Sequence, residues 1–144
     1  PPRARSVVII LDTNVLSEPL RSTPDTAVVA WMKSRTDAAI TAVSVAELLV
    51  GARRLPEGAR RERLIAAIDS ILSGSRVLPF DERAARSYAR LQEARRIAGR
   101  PLSVEDGMIA ATAAAHGATL ATRNPKDFED LGIDLVDPWE PADA

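Results

Sequence analysis

The strongest constraint on the fold is an uninterrupted aliphatic run near the start of the chain, residues 7–11, which ends at Asp12. A run without polar alternation is typical of a parallel strand that is buried on both faces of its sheet. Parallel neighbours need a long crossover connection, usually an α-helix, between one strand and the next. The run therefore predicts an α/β fold, with a central parallel β-sheet flanked by α-helices.

Helical and strand patterns alternate along the rest of the chain. Apolar residues recur at helical spacing in some segments and form short aliphatic runs in others. The predicted helices cover residues 25–35, 44–54, 81–98 and 104–116, and a further helix starts soon after Gly58 and carries an apolar stripe over 64–72. The predicted strands cover 39–41, 76–80, 119–121 and 134–136. Strands that alternate with helices support a parallel sheet that is covered on both faces.

Size and composition predict one globular domain. The 144 residues, with 46% hydrophobic and 27% charged residues, suit a single compact unit, which we assign to residues 7–139. Because the sequence begins at Pro1 without a methionine, residues 1–6 are set aside as trimmed, disordered or left from an expression vector. Residues 140–144 are expected to form a C-terminal tail.

The absence of cysteine narrows the possible chemistry. It excludes disulfides, thiolate metal sites and cysteine nucleophiles, and it suits a reducing compartment. The apolar runs are too short for a membrane span or a signal peptide, so we expect a cytoplasmic protein with no membrane partner. The net charge of −1 provides no general attraction to nucleic acid, so any such binding depends on local patches.

Three acids stand in surroundings that do not suit an ordinary surface charge. Asp12 ends the aliphatic run, and ligands of open α/β sheets bind at the carboxyl ends of the strands. Glu47 is the one ionisable residue between Val43 and Ala52, and Asp106 begins a helix whose next residues, 107–115, carry no charge. Because a buried unpaired carboxylate is costly, a cation is a natural partner for these acids.

Each acid also has a purely local interpretation as a capping or turn residue. Carboxylates at turns and at helix starts accept hydrogen bonds from nearby backbone N–H groups. The local pairings in this sequence are Asp12 with Asn14, Ser44 with Glu47, Ser103 with Asp106, and Asp127 with Phe128. The case for a joint site therefore rests on the acids lying together.

If the acids converge, their chemistry selects the metal. Oxygen ligands, without cysteine or clustered histidine, favour Mg²⁺ or Mn²⁺ over zinc or copper. Such ions can activate water and neutralise charge on a phosphate, so no protein nucleophile is required. The arginines are mostly interpreted as solvated helix faces, including Arg95, Arg96 and Arg100, while Arg123 beside Asp127 is a candidate phosphate contact.

Four segments resemble one known family, in the family's order and over almost the whole chain. The sequence resembles PIN-domain ribonucleases, specifically the VapC and FitB-like toxins of bacterial toxin–antitoxin pairs. The matching segments are LDTNVLSEPL at 11–20, TAVSVAELLVGARRLPEG at 41–58, RVLPFD at 76–81, and the segment from Gly99 to Trp139 that contains SVEDGMIAA and ATRNPKDF. The resemblance implies a PIN-domain fold with an acidic pocket.

The resemblance also implies roles for individual residues. It assigns catalytic and metal-binding roles to Asp12, Glu47 and Asp106, with Asp127 as a fourth, less uniform acid. A second set of polar positions matches those that contact substrate or metal-activated water in the family. These positions are Thr13, Asn14, Thr122 and Asn124, although turn formation alone also accounts for the two asparagines. Arg123 joins them as a candidate substrate contact because of its place beside Asp127.

The family further implies the reaction and the partners. It implies hydrolysis of RNA phosphodiester bonds by metal-activated water, with Mg²⁺ or Mn²⁺ as cofactor. It also implies a homodimer and a cognate VapB/FitA-like antitoxin, through which operator DNA is contacted indirectly.

Two other functions remain open. One is a noncatalytic PIN-like module that binds RNA or protein, which intact acids at all four positions disfavour. The other is a Mg²⁺-dependent phosphatase or phosphotransfer protein with an aspartate as phosphoryl acceptor. Such phosphatases usually carry a second aspartate two residues after the first, where this sequence has Asn14.

Overall fold

The computed structural model of the protein describes residues 8–140. The expectations for residues 1–7 and 141–144 therefore lie outside the described residues. The strands are β1 (Ile9–Leu11), β2 (Ala38–Thr41), β3 (Arg76–Leu78), β4 (Thr119–Ala121) and β5 (Asp134–Val136). The α-helices are α1 (Thr13–Ser17), α2 (Thr26–Lys33), α3 (Ala42–Arg53), α4 (Ala59–Ser73), α5 (Glu82–Ile97) and α6 (Val104–His116). Short 3-10 turns cover Glu18–Leu20 and Pro125–Phe128.

The five strands form one parallel sheet in the order β3-β2-β1-β4-β5, which confirms the predicted fold class. The chain builds outward from β1 to β3 on one side and then returns to place β4 on the other side of β1. The order therefore reverses between β1 and β4. In open α/β sheets, ligands bind outside the carboxyl ends of the strands at this reversal point.

The core consists of two apolar clusters, to which β1 contributes residues in alternation. Ile10 belongs to the cluster with Leu120 and Phe128, whereas Ile9 and Leu11 belong to the other cluster. Successive strand side chains point to opposite faces of a sheet. The continuous aliphatic run is thus explained by a central strand that is covered on both faces.

Helix ends follow the predicted signals in several places. The side chains of Asp25, Asp81 and Ser103 each accept hydrogen bonds from the first turn of the helix that follows. Gly117 ends α6 in the left-handed conformation, with φ of 58°. Glycine adopts this conformation without the steric cost of a Cβ.

One helix was not predicted and two local predictions are wrong. The unpredicted helix is α1, which begins directly after Asp12 and is too short, at five residues, to show helical periodicity. The third helix begins at Ala42 because Thr41 is its cap, so Ser44 lies inside the helix and forms no capping box with Glu47. The third strand ends at Leu78 rather than residue 80, where Pro79 follows and offers no N–H group.

Close packing of α6 against α5 depends on Gly107. A Cβ at this position would lie 2.8 Å from Tyr88 Cε2 and 2.9 Å from Gln92 Nε2. We expect Gly107→Ala to lower the free energy of unfolding by about 1–2 kcal/mol, because overpacking outweighs the gain in helix propensity. The matched control is Gly51→Ala on α3, where an added Cβ would contact no neighbouring atom within 4 Å. Chemical denaturation measures both, and a Gly107→Ala variant as stable as the control would contradict this packing.

Among the described residues, no helix combines the length and the hydropathy needed to cross a membrane.

Candidate active site

The site begins where β1 and β4 end side by side. Asp12 follows β1 and is only 6% exposed, and Thr122 follows β4 and is fully buried. The Thr122 hydroxyl donates to Asp12 Oδ2 at 2.8 Å, and the backbone N–H of Thr13 donates to Asp12 Oδ1 at 2.8 Å. Both carboxylate oxygens are therefore held in place at the point where the strand order reverses.

Thr13 connects this strand end to α3. Its hydroxyl donates to Glu47 Oε1 at 2.6 Å and lies 2.8 Å from the hydroxyl oxygen of Ser44, which is completely buried. Glu47 is half-buried and lines a groove with apolar neighbours that include Val50 and Met108. The same groove also contains the charged side chains of Arg54 and Glu105.

The other two acids lie on α6 and in the turn after β4. Asp106 lies half-buried in the first turn of α6, and its backbone N–H donates to the Ser103 hydroxyl at 3.1 Å. Asp127 lies exposed in the 3-10 turn after β4. Asp106 and Asp127 line one polar pocket.

Electrostatics link the acids. Burial raises the pKa of Asp12, the hydrogen bonds from Thr122 and Thr13 oppose this rise, and the charges of Asp106 and Glu47 add to it. Burial also raises the pKa of Asp106, with a further contribution from the charge of Asp127. The carboxylates thus lie close enough to disfavour one another's ionisation.

As they stand, the acids could hold a divalent cation only if water completed its coordination shell. Within residues 8–140, no three acidic or histidine side chains are grouped closely enough to surround a metal ion as they stand. Mg²⁺ commonly takes only one or two protein carboxylates and keeps several waters. Burial, and to a smaller extent the charges of Asp106 and Glu47, raises the pKa of Asp12, so this carboxylate fits such an ion, because a cation would relieve both burial and repulsion.

The remaining polar positions lie around the same strand ends. The backbone N–H of Arg123 donates to Asn14 Oδ1 at 3.4 Å, and the backbone N–H of Asn124 donates to the Thr122 hydroxyl at 3.2 Å. The Arg123 guanidinium stacks over Trp139 at 4.9 Å from the ring centroid. These contacts hold the loop after β4 against α1 and against Trp139, near the end of the described residues.

Comparison with known proteins decides the family. The family model of the PIN domain matches residues 9–133. The chain belongs to the PIN-domain family. It is 45% identical to VapC ribonuclease Y4jK of Sinorhizobium fredii, over 94% of this chain and 100% of that protein. It is 41% identical to toxin FitB of Neisseria gonorrhoeae, over 92% of this chain and 99% of that protein.

A solved structure agrees with these relatives. The structure of FitAB bound to an IR36 DNA fragment matches with a TM-score of 0.84 and 38% identity, over 94% of this chain and 99% of that chain. The resemblance of the sequence to VapC and FitB-like toxins is confirmed at the level of the family and its fold.

One buried acid of this PIN domain, Glu18, was not predicted from the sequence. Glu18 is 1% exposed, and its pKa is lowered by a hydrogen bond from the Asp25 backbone N–H and by Arg21. The Arg21 guanidinium lies 3.0 Å from Glu18 Oε2. The three-residue spacing of Glu18 and Arg21 was a signal that could have indicated this ion pair, in which the Glu18 carboxylate is buried and the Arg21 side chain is 55% exposed.

The interpretation of Arg95 as a solvated side chain is wrong. Arg95 is 5% exposed, and its guanidinium donates to the carbonyl oxygens of Arg100, Asp127 and Glu129 at 2.7–3.1 Å. Its position near the end of α5 gave no sign of these partners, because they come from two later loops. Arg95 thus fixes the loop that carries Asp127.

The raised pKa of Asp12 predicts a pH-dependent stability in metal-free protein. Since the native pKa lies above the ordinary value of 3.8, the folded state binds the proton more tightly than the unfolded state. Stability from this group is therefore lowest at neutral pH and rises as pH falls through the native pKa toward 3.8. We expect Asp12→Asn to be more stable than the parent protein at pH 7.5 in EDTA, with the difference shrinking in acid. Denaturant unfolding at several pH values measures this, and a constant difference would contradict it.

Proposed function

We propose that this PIN-domain protein is a metal-dependent endoribonuclease and the toxin of a toxin–antitoxin pair. The observation that supports it most is the buried Asp12, held by Thr122 and Thr13 where the strand order reverses and electrostatically coupled to Glu47 and Asp106. The relative named VapC ribonuclease Y4jK, at 45% identity, supports the reaction class.

The proposed roles are metal binding by the acids and orientation of those acids by the two threonines. Asp12, Glu47, Asp106 and Asp127 would hold Mg²⁺ or Mn²⁺. When bound, the ion lowers the pKa of a water and neutralises charge on the phosphodiester. Thr122 and the Thr13 N–H orient Asp12, and the Thr13 hydroxyl orients Glu47. These hydrogen bonds keep the carboxylates in place before RNA arrives.

Asn14 disfavours the alternative function of a phosphatase. A phosphatase of the aspartate-nucleophile type needs a proton donor two residues after Asp12. Asn14 occupies that position, and its amide oxygen accepts the backbone N–H of Arg123. A carboxamide in this place supplies no acidic proton, so nuclease chemistry is the better match.

The proposal includes partners. Because the matched FitAB structure is a complex bound to DNA, we propose a FitA/VapB-like antitoxin for this chain, with operator DNA contacted through it. A homodimer is also proposed, supported by the exposed apolar side chains of Val50 and Val104, which line the groove beside Glu47. The toxin would act on RNA in the cytoplasm.

Incubation of the purified protein with total RNA tests the reaction. We expect cuts at defined positions with Mn²⁺ and none with EDTA, mapped by sequencing of the new ends. A purified protein that leaves total RNA intact with Mn²⁺ would defeat the ribonuclease proposal.

The exposed Asp127 should matter less than the buried acids. We expect Asp127→Asn to reduce the cleavage rate by about tenfold or less, because water can replace an exposed carboxylate in the metal's shell. Initial rates on one RNA oligonucleotide, compared with those of Asp12→Asn, measure the ranking. Equal losses at both positions would contradict it.

A further inference from the structure

A polar pocket of about 310 Å³ lies beside the acids at the first turn of α6. Three cationic side chains line it, from Arg95, Arg100 and Lys126, together with the carboxylates of Asp106 and Asp127. Cations thus outnumber acids in its wall. The pocket adjoins the candidate metal site, but nothing in the metal chemistry explains the three positive charges.

Arg95 provides a fixed positive charge in this wall. Among residues 8–140 it forms no salt bridge, and its three hydrogen-bond acceptors are backbone carbonyl oxygens. Its Nε is buried and has no hydrogen-bond partner. Carbonyl dipoles stabilise the guanidinium but do not cancel its charge, so Arg95 adds one full positive charge to a wall that also holds the carboxylates of Asp106 and Asp127.

Arg100 and Lys126 stand at the rim, where they can reach a ligand. Arg100 donates to the carbonyl oxygen of Lys126 at 3.3 Å and lies 3.6 Å from the carboxylate of Asp130. The Asp130 side chain is 84% exposed and that of Arg100 is 48% exposed, so this ion pair is weak and easily exchanged. Lys126 is exposed and forms no salt bridge among the described residues.

We propose that this pocket binds one phosphate of the RNA backbone next to the phosphate that is cleaved. Arg100 and Lys126 contact that phosphate, and Arg95 is a positioning residue that holds the Asp127 loop and the Arg100 carbonyl. The inference rests on the proposed function and assigns the site that sets the register of the RNA over the acids. Guanidinium and ammonium groups are the side chains that recognise phosphate, and such contacts position a nucleic acid without reading its sequence.

The test removes the two rim charges together, as Arg100→Gln/Lys126→Gln. We expect KM for a single-stranded RNA oligonucleotide to rise about tenfold at 50 mM salt, because charge-assisted contacts are lost, with kcat within twofold of the parent protein. Binding of the same oligonucleotide in EDTA, followed by fluorescence anisotropy, should weaken by a similar factor. The slope of log affinity against log salt should fall by about 0.7, the value for one phosphate of a single strand.

The matched control is Arg86→Gln/Arg90→Gln, which removes the same charge from a pocket at the other end of α6. On α6 the first pocket is lined by Asp106 and the second by Ala114 and Ala115, which lie about 12–14 Å further along the helix axis. We expect this control to keep the parental KM and salt slope. Thermal unfolding of both variants checks that each is folded.

The outcomes separate the two proposals. If the parent protein cleaves RNA but both double variants are equally affected, the phosphate pocket is overturned. It is also overturned if Arg100→Gln/Lys126→Gln changes kcat alone. A parent protein that neither binds nor cleaves RNA overturns the proposed function and this inference together.

Discussion

Asp12→Asn and Asp106→Asn are each expected to reduce RNA cleavage by at least about 10³-fold while the protein stays folded. Each change removes one ligand charge and leaves the size of the side chain almost unchanged. At Asp12 the amide can still accept the Thr13 N–H, and the Thr122 hydroxyl can reverse its role and accept a hydrogen bond. The loss therefore concerns charge at the site rather than packing of the core.

Single-turnover cleavage of one RNA oligonucleotide with Mn²⁺ measures this loss. Asp69→Asn is the matched control, since Asp69 is exposed on α4 and lines none of the polar pocket beside α6. We expect the control to cleave at the parental rate. Substantial activity in either Asp12→Asn or Asp106→Asn would show that the chemistry lies elsewhere.

Removal of divalent metal is expected to abolish cleavage and also to lower the melting temperature. A ligand at 100 times its Kd stabilises a folded protein by about 2.7 kcal/mol. For a chain of this length that corresponds to a fall of roughly 6–10 °C when EDTA removes the ion. The raised pKa of Asp12 has the same origin, because a buried carboxylate without its cation is unfavourable.

Scanning calorimetry with Mn²⁺ and with EDTA measures the shift. In Asp12→Asn the shift should fall by about half or more, because a site weakened at least tenfold provides no more than about 1.4 kcal/mol at the same Mn²⁺ concentration. An equal shift in the parent protein and in Asp12→Asn would mean that Mn²⁺ binds at another site.

Much of the fold was predictable because its signals are local and periodic. The aliphatic run that ends at Asp12 indicated a central parallel strand, and β1 indeed lies between β2 and β4. The cap of α6 by Ser103 and its end at Gly117 followed from residue chemistry. The helix α1 was not predictable, because its five residues make fewer than two helical turns and therefore show no periodicity.

The site was predictable in outline only. Strand ends and uncharged helix surroundings identified Asp12, Glu47 and Asp106 as unusual acids, and the structure links them through their charges. The contacts that orient them depend on long-range pairs, such as Thr13 with Glu47, which are 34 positions apart. No sequence pattern reports that kind of proximity.

Buried charges were the hardest features to predict. Glu18 and Arg95 have sequence surroundings that suit surface residues, yet each is nearly inaccessible. Glu18 accepts hydrogen bonds from Arg21 and from the Asp25 backbone N–H, whereas the partners of Arg95 are all backbone carbonyls. Since every residue carries such groups, the sequence does not show which of them will be used.

Direct measurement of Mn²⁺ binding tests the central claim, that separated acids act together on one hard cation. Titration followed by electron paramagnetic resonance counts the bound ions in the parent protein, in Asp12→Asn and in the Asp69→Asn control. We predict saturable binding in the parent protein and the control, weakened at least about tenfold in Asp12→Asn. Identical Mn²⁺ affinity in all three proteins would contradict the account.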